Sequence, residues 1–424
     1  MTAQIPGRAL IQSFGSGLTI QAILSASNFL VGWLLIRHTS DVEYGRYVLV
    51  ISALLLLTVL QGSFVQAQMV VRMIRVDHHG RADLVGGLLR EQRVGLRYAS
   101  TAIVAIVVVL SLARLLDLSI SLLIICATLA ATATLMREYF RMVLFAYRRP
   151  QDVLLADVCY VAVLLGGVTL AVFTPAAATF AVLALAAAAA TSTLLLSKAV
   201  WKTEPWNAYG GRGILRAFGP LGAWAVSGAA AHWALSQGYS FIVAGALSVQ
   251  SVAAISATRL LLMPLNLISA GLSTQLFPLT ADWVHRRGVP HALRRLAFVS
   301  VGLVAFALCY FALIWLSRDW IFNELLHKQY PQRDALLLLW CGAFVLMLVR
   351  DQLIKLLAAR ERFQMMASIS AFSAVLSLAF GYGAMLRFGE VGAVAGIVIG
   401  ELANISGILV LTFRELRRTV PAPV

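Results

Sequence analysis

Residues 118–147 read LSISLLIICATLAATATLMREYFRMVLFAY, and Arg148-Arg149 follow at once. No charge occurs from Leu118 to Met136; Arg137, Glu138 and Arg141 arrive only in the last turns. A bilayer's hydrocarbon core takes about 20 helical residues, and only a helix satisfies its own backbone in lipid. The stretch therefore predicts a transmembrane helix closed by cations. Working outward, the same unit recurs. Apolar spans are expected at 14–36, 47–71, 98–116, 118–147, 152–173, 176–197, 218–245, 250–280, 297–317, 335–358, 364–387 and 391–413. The fold class expected is an all-α polytopic membrane protein of twelve transmembrane helices.

The cations sit in alternate loops. Arg72, Arg75, Arg81, Arg90, Arg93 and Arg97 follow the second span, and Arg148 and Arg149 the fourth. Lys198, Lys202, Arg212 and Arg216 follow the sixth, and Arg286, Arg287, Arg294 and Arg295 the eighth. Arg360 and Arg362 follow the tenth, and Arg414, Arg417 and Arg418 the twelfth. With Arg8, this side holds 22 of the 34 Lys and Arg; the other side holds seven. The positive-inside rule makes both termini cytoplasmic in a bacterial inner membrane. Topology and the anionic headgroups of membrane lipids account for the net charge of +15 without nucleic acid. Hydrophobic residues make up 60% of the chain and charged residues 12%, about half the charged share of an ordinary soluble domain. The first span is long and carries Ser16, Thr19, Gln21, Ser25 and Asn28, so it reads as a retained span rather than a cleaved leader. Cys126, Cys159, Cys309 and Cys341 all fall inside spans and read as buried free thiols. No cofactor or metal is expected; His78-His79 has no third ligand at hand.

The chain also repeats itself. Arg137, Glu138, Ala146, Arg149 and Gln151 recur as Arg350, Asp351, Ala359, Arg362 and Gln364, all offset by 213 residues. Basic amphipathic stretches follow the second and eighth spans, at 72–97 and 282–295. Two six-span halves of equal orientation make a parallel repeat. The expected bundles are 1–204 and 205–424. Residues 198–216, with Pro205, Trp206, Asn207, Gly210, Gly211 and Gly213, serve as linker. A 6+6 repeat implies a central cavity between bundles that open to each side in turn. That is a transporter plan and not an enzyme plan.

Two motifs narrow the class. Glu43-Tyr44-Gly45-Arg46-Tyr47, after Asp41-Val42, resembles the (D/E)-(F/Y)-G-x-(F/Y) signature of polysaccharide flippases. Arg259-Leu260-Leu261-Leu262-Met263-Pro264, followed by Pro278, resembles the Arg-Leu-x-x-x-Pro…Pro span of the MurJ lipid II flippases. In span order the whole chain is similar to the multidrug/oligosaccharidyl-lipid/polysaccharide exporter (MOP) superfamily, on its Wzx-type branch, related to MurJ and the MATE exporters. It lacks the extra spans and first-span arginines common in MurJ-like members. The resemblance implies a flippase for surface or exopolysaccharide synthesis. Its substrate would be an undecaprenyl-pyrophosphate-linked oligosaccharide, moved from the cytoplasmic to the periplasmic leaflet. Polysaccharide polymerase and glycosyltransferases of the same pathway would be its partners. Arginine suits such a headgroup because its planar fork donates paired hydrogen bonds to phosphate.

Ionisable residues inside spans are the candidates for function. Arg259 falls near mid-depth, where the resemblance places a cavity arginine; an ion pair or outward snorkelling is the structural alternative. Arg137, Arg141, Arg350 and Lys355 are further cavity cations or, alternatively, snorkelling residues near helix ends. Glu138 is spaced to pair with Arg141, and Asp351 with Lys355. Glu401, three residues before Asn404, and Asp157 are candidates for ion coupling or for structural hydrogen bonds. Gln21, Asn28, His232 and Gln237 are candidate sugar contacts, or else interhelical hydrogen-bonding groups. Gly392, Gly396 and Gly400 form a helix-packing face. Pro264 and Pro278 are expected to break the eighth span. A multidrug or metabolite exporter of the same superfamily is the alternative within transport. A polysaccharide polymerase is the alternative enzyme, but the loop at 318–334 carries no paired carboxylates or His/Asp constellation.

Overall fold

The computed structural model describes residues 7–73, 76–203 and 213–419. Arg75, Arg212 and the linker residues Pro205, Trp206, Asn207, Gly210 and Gly211 lie outside the described residues, as do the side chains of Arg8, His78 and Pro278. Among the described residues every regular element is helical. The chain forms two compact units, Met1–Ala229 and Ala230–Val424. The first holds α1 (Gly7–His38), α2 (Asp41–Gln61), α3 (Ala67–Met73), α4 (His78–Leu112), α5 (Leu118–Ala146), α6 (Pro150–Ala171) and α7 (Ala177–Thr203). The unit boundary falls inside α8 (Ile214–Gln237). The second unit continues with α9 (Tyr239–Ala246), α10 (Val249–Leu260), α11 (Met263–Trp320), α12 (Arg333–Ala359), α13 (Phe363–Phe388) and α14 (Glu390–Thr419).

Local chemistry sets the helix starts. Ser40 accepts from Glu43 N at 3.3 Å and caps α2; Asp77 accepts from Gly80 N at 2.9 Å and caps α4. Pro150 opens α6, where its missing N–H costs nothing. Gly389, at φ 58°, turns the chain from α13 into α14 in a conformation that a β-carbon would strain.

Ten of these helices are long and apolar enough to cross a membrane. An eleventh candidate is a bent pair, Val249–Leu260 with Met263–Ser273, which turns through 55°. The chain is thus a multi-pass, all-helical membrane protein. The structure departs from the expected twelve regular spans at 218–245, which is divided between α8 and α9 at Gly238. Span 250–280 is the bent pair. Pro264 has no N–H for the Leu260 carbonyl, so the ladder stops there. The Leu265 N–H bonds to Leu262 O at 3.1 Å, and the Leu261 carbonyl accepts from the Tyr310 hydroxyl at 2.9 Å. Pro278 does not break the chain's helical path; the second interruption comes at Gly288, with φ 79° and ψ 171°.

Both basic stretches run directly into the spans that follow them. α4 carries its polar first half into an apolar second half whose residues are exposed, Leu112 at 79%. Such outward apolar positions are normal where lipid is the solvent. The same fact corrects the expectation for the thiols: Cys309 is exposed and the other three are half-buried, because they face outward on their helices.

Why the first unit reaches into α8 is visible in its core. Phe218 packs in one cluster with Leu88, Leu89, Tyr139, Phe140, Val143 and Leu144. Arg72 holds it there, with its guanidinium carbon 4.4 Å from the Phe218 ring centroid and a hydrogen bond to Ala217 O at 3.0 Å. Glu91 on α4 accepts from the amides of Gly213, Ile214 and Leu215 at 2.5, 3.2 and 2.9 Å. A carboxylate at a helix start satisfies orphan amides and complements the helix dipole.

In the second unit α13 and α14 pack through glycine. A β-carbon on Gly396 would stand 2.7 Å from Ser377 O and closer still to the Gly381 backbone. This close approach is what the small-residue spacing on α14 predicts.

Candidate functional site

The candidate charged residues inside the spans gather into three groups. In the first unit, Arg137 on α5 is 4% exposed. Its Nη2 lies 2.5 Å from Asp157 Oδ1 on α6, its Nη1 3.0 Å from Glu138 Oε1, and its Nε 3.2 Å from Ser192 Oγ on α7. The Tyr160 ring centroid stands 3.8 Å from its guanidinium carbon. One turn on, Arg141 donates to Glu138 at 2.8 Å and faces Asp157 Oδ2 at 3.2 Å. Two arginines and two carboxylates thus neutralise one another. Glu138 pairs with Arg141, as the spacing predicts.

In the second unit, Arg350 on α12 meets Glu401 on α14 at 2.6 and 2.5 Å. Asp351 stands 3.0 Å from its Nη2. Lys355 is not paired with the Asp351 carboxylate, contrary to expectation, because Arg350 occupies that group. Its Nζ donates instead to the Asp351 carbonyl at 3.1 Å and to Gln352 Oε1 at 3.0 Å. Asn404, also buried, has no partner for its Oδ1 among the described residues, and the Glu401 carboxylate is taken by Arg350.

The third group surrounds Arg259, in the last turn of α10 just before the bend. It is 9% exposed. Its Nη1 donates to the Ser236 carbonyl at 3.3 Å, to Gln237 Oε1 at 3.1 Å and to the Tyr239 hydroxyl at 3.3 Å. The Trp340 ring centroid is 5.2 Å from its guanidinium carbon. Trp340 is fixed in turn by its Nε1–H to Ile255 O at 3.2 Å and by an edge contact with Tyr239. Arg259 Nε is buried without a partner, and no carboxylate contacts this guanidinium among the described residues. Burying an ion costs several kcal/mol, and an aromatic face returns about 2 kcal/mol when desolvated. The site is therefore electrostatically incomplete in a way that the other buried arginines are not.

The structure brings Gln237, a candidate sugar contact, onto Arg259. His232 is exposed on α8, and Gln21 and Asn28 are exposed on α1. Glu401 and Asp157, the candidates for ion coupling, are each held by arginine. Sequence reasoning missed Tyr239 and Trp340 as the walls around Arg259. An aromatic inside an apolar span carries no mark that separates a cation's neighbour from ordinary packing.

No protein-family profile matches the chain, and no curated protein does. Solved structures do. An inward-facing multidrug-resistance MATE transporter of the MOP superfamily superposes with a TM-score of 0.76 at 14% identity, covering 95% of this chain and 96% of that one. The lipid II flippase MurJ, in an inward closed conformation, superposes with 0.73 at 10% identity over 95% and 89%. A MATE P26A mutant gives 0.66 at 15% identity over 98% of both chains. The fold is the one these transporters and this flippase share.

Proposed function

We propose that this protein is a flippase for an anionic lipid-linked saccharide. The substrate would be an undecaprenyl-pyrophosphate-linked oligosaccharide, carried from the cytoplasmic to the periplasmic leaflet of a bacterial inner membrane by alternating access of two six-helix bundles. The observation that carries this reading is Arg259. Arg137, Arg141 and Arg350 each contact a carboxylate, whereas Arg259 is buried against neutral acceptors and a Trp face. A buried cation lacking a counter-ion attracts an anion, and a pyrophosphate oxygen pair matches the guanidinium fork. Lys355, also without a carboxylate contact among the described residues, would supply a second, non-directional charge.

Export of cationic drugs is the competing use of this fold. A cation needs an uncompensated carboxylate within the bundle. Asp157 and Glu401 are each neutralised by an arginine at 2.5 Å, which supports the anionic substrate over the cationic one.

The test is a deletion strain complemented with Arg259 variants at matched membrane abundance. Loss of the protein should leave complete but unpolymerised lipid-linked glycan in the inner leaflet. Arg259→Ala should reproduce that defect, and Arg259→Lys should restore only part of the flux. Normal polymer display by the Ala variant would remove Arg259 from the pathway. Raised drug susceptibility in the deletion strain, with polymer display intact, would establish the exporter instead.

A further inference from the structure

We infer that the basic segment around the Gly288 break is a binding surface for the phosphate headgroups of anionic phospholipids. The inference needs only that the chain spans a membrane, and is independent of what is transported. The segment is two-sided. Val289, Ala292 and Leu296 are buried against Leu356, with Trp283, Val284, Leu293 and Leu416 packed around them. The recurrence at three and four residues places these on one helical face. Arg287, Arg294 and Arg295 are exposed, and His291 interacts electrostatically with all three. His291 precedes Arg294 by three residues and Arg295 by four, so the three share the opposite face.

Neighbouring cations are already occupied. Arg286 is paired with Asp282 at 2.5 Å, and Arg360 and Arg362 both meet Glu415, at 3.4 and 2.9 Å. Among the described residues no carboxylate contacts Arg287, Arg294 or Arg295. Two cations of the repeat-related stretch are occupied by the backbone. There Arg72 and Arg81 donate to backbone carbonyls of Ala217 and Met73 and so serve the fold.

Depth identifies the partner as a lipid and not a soluble phosphate. Phe298 is 80% exposed and Val301 68%, less than two turns beyond Arg295. Phe277 and Leu279 are exposed before the segment. Large apolar side chains facing outward on both flanks mark where hydrocarbon begins. The cations between them therefore lie at headgroup level, where each is worth roughly a fivefold gain in affinity for an anionic surface. Gly288, at φ 79°, is the turn that lets the segment lie against Leu356 and still hand the chain on to the next span.

The full-length protein in neutral detergent should be stabilised against heat by a short-chain phosphatidylglycerol and not by the matching phosphatidylcholine. In Arg294→Gln/Arg295→Gln the phosphatidylglycerol concentration giving half the shift should rise roughly twenty-five-fold. The charge-matched control Arg114→Gln/Arg387→Gln should leave it unchanged. Raising ionic strength from about 0.05 M to about 0.5 M should erase the shift in the unaltered protein, which keeps the test decisive if the double variant fails to fold. The inference is overturned if the shift survives salt, if the control loses as much as the test variant, or if inorganic pyrophosphate reproduces the shift without lipid.

Discussion

Arg350 Nη1 lies 2.5 Å from Glu401 Oε2, and both side chains are buried, on α12 and α14. Its repeat mate Arg137 stands equally close to Asp157, on α6. The 213-residue offset keeps the cation and its neighbouring carboxylate, Glu138 or Asp351, and moves the carboxylate that comes from another helix. Ser370 occupies the position equivalent to Asp157, and Ala188 the one equivalent to Glu401. Each half thus neutralises its arginine from a different helix. The two locks arose at different positions and can be altered one at a time.

Removing Arg350 leaves Glu401 as an uncompensated buried charge, a loss of about 3–5 kcal/mol, whereas removing Glu401 leaves Arg350 its contact with Asp351 and should cost less. Arg350→Met and Glu401→Gln should each lower the thermal midpoint in detergent, and the double variant should lose less than the sum. Additive losses would mean that the pair does not interact.

The first lock has a reserve. Asp157 is shared by Arg137 and Arg141, and Glu138 contacts both. Arg141→Met should therefore destabilise less than Arg137→Met, whose side chain also holds Ser192 and Tyr160. Equal midpoint losses in the two variants would contradict this ranking.

Glu91 holds three consecutive amides at the start of α8. Glu91→Gln keeps the shape but removes the charge, and the expected cost is about 1–2 kcal/mol. Hydrogen exchange should speed up at Gly213, Ile214 and Leu215 and remain unchanged at the centre of α5. Unchanged protection at those three amides would show that the carboxylate contributes nothing there.

Close packing of α13 on α14 predicts opposite outcomes for two glycines. Gly396→Ala places a methyl against Gly381 and should cost about 1–3 kcal/mol through overpacking. Gly383→Ala, with nothing within 4 Å, should stabilise by about 0.5–1 kcal/mol. Thermal midpoints of the two variants decide the matter, and a neutral Gly396→Ala would disprove the contact.

Much of the architecture was legible because lipid leaves few options: apolar length forces helices, and the glycine spacing forces close packing. The count of regular spans was less legible, since the division at Gly238 and the turn at Gly288 depend on backbone torsions that composition does not display. Within the candidate site, only Arg259 read as a mid-depth residue; Arg137 and Arg350, toward helix ends, read equally as snorkelling cations, and their burial is seen only in the fold. Their partners were not legible either. Asp157 lies 20 residues from Arg137 and Glu401 lies 51 from Arg350, and local spacing carries no information about contacts between helices. Spacing also misled at Lys355, whose carboxylate neighbour was taken by a closer arginine.

The bend after Arg259 has a mechanical meaning. At Leu261 the backbone ladder is replaced by one phenolic hydroxyl, that of Tyr310, reaching across from the far end of α11. The joint therefore has a fulcrum and a single stay. Arg259 rides on the short arm, one turn from the pivot, while its aromatic wall Trp340 stands on α12 outside the lever. The indole is nonetheless hydrogen-bonded to that same arm, through its Nε1–H to Ile255 O, so guanidinium and indole keep one another's company on the short side of the joint. A phenol 51 residues down the chain from Arg259 sets its aim.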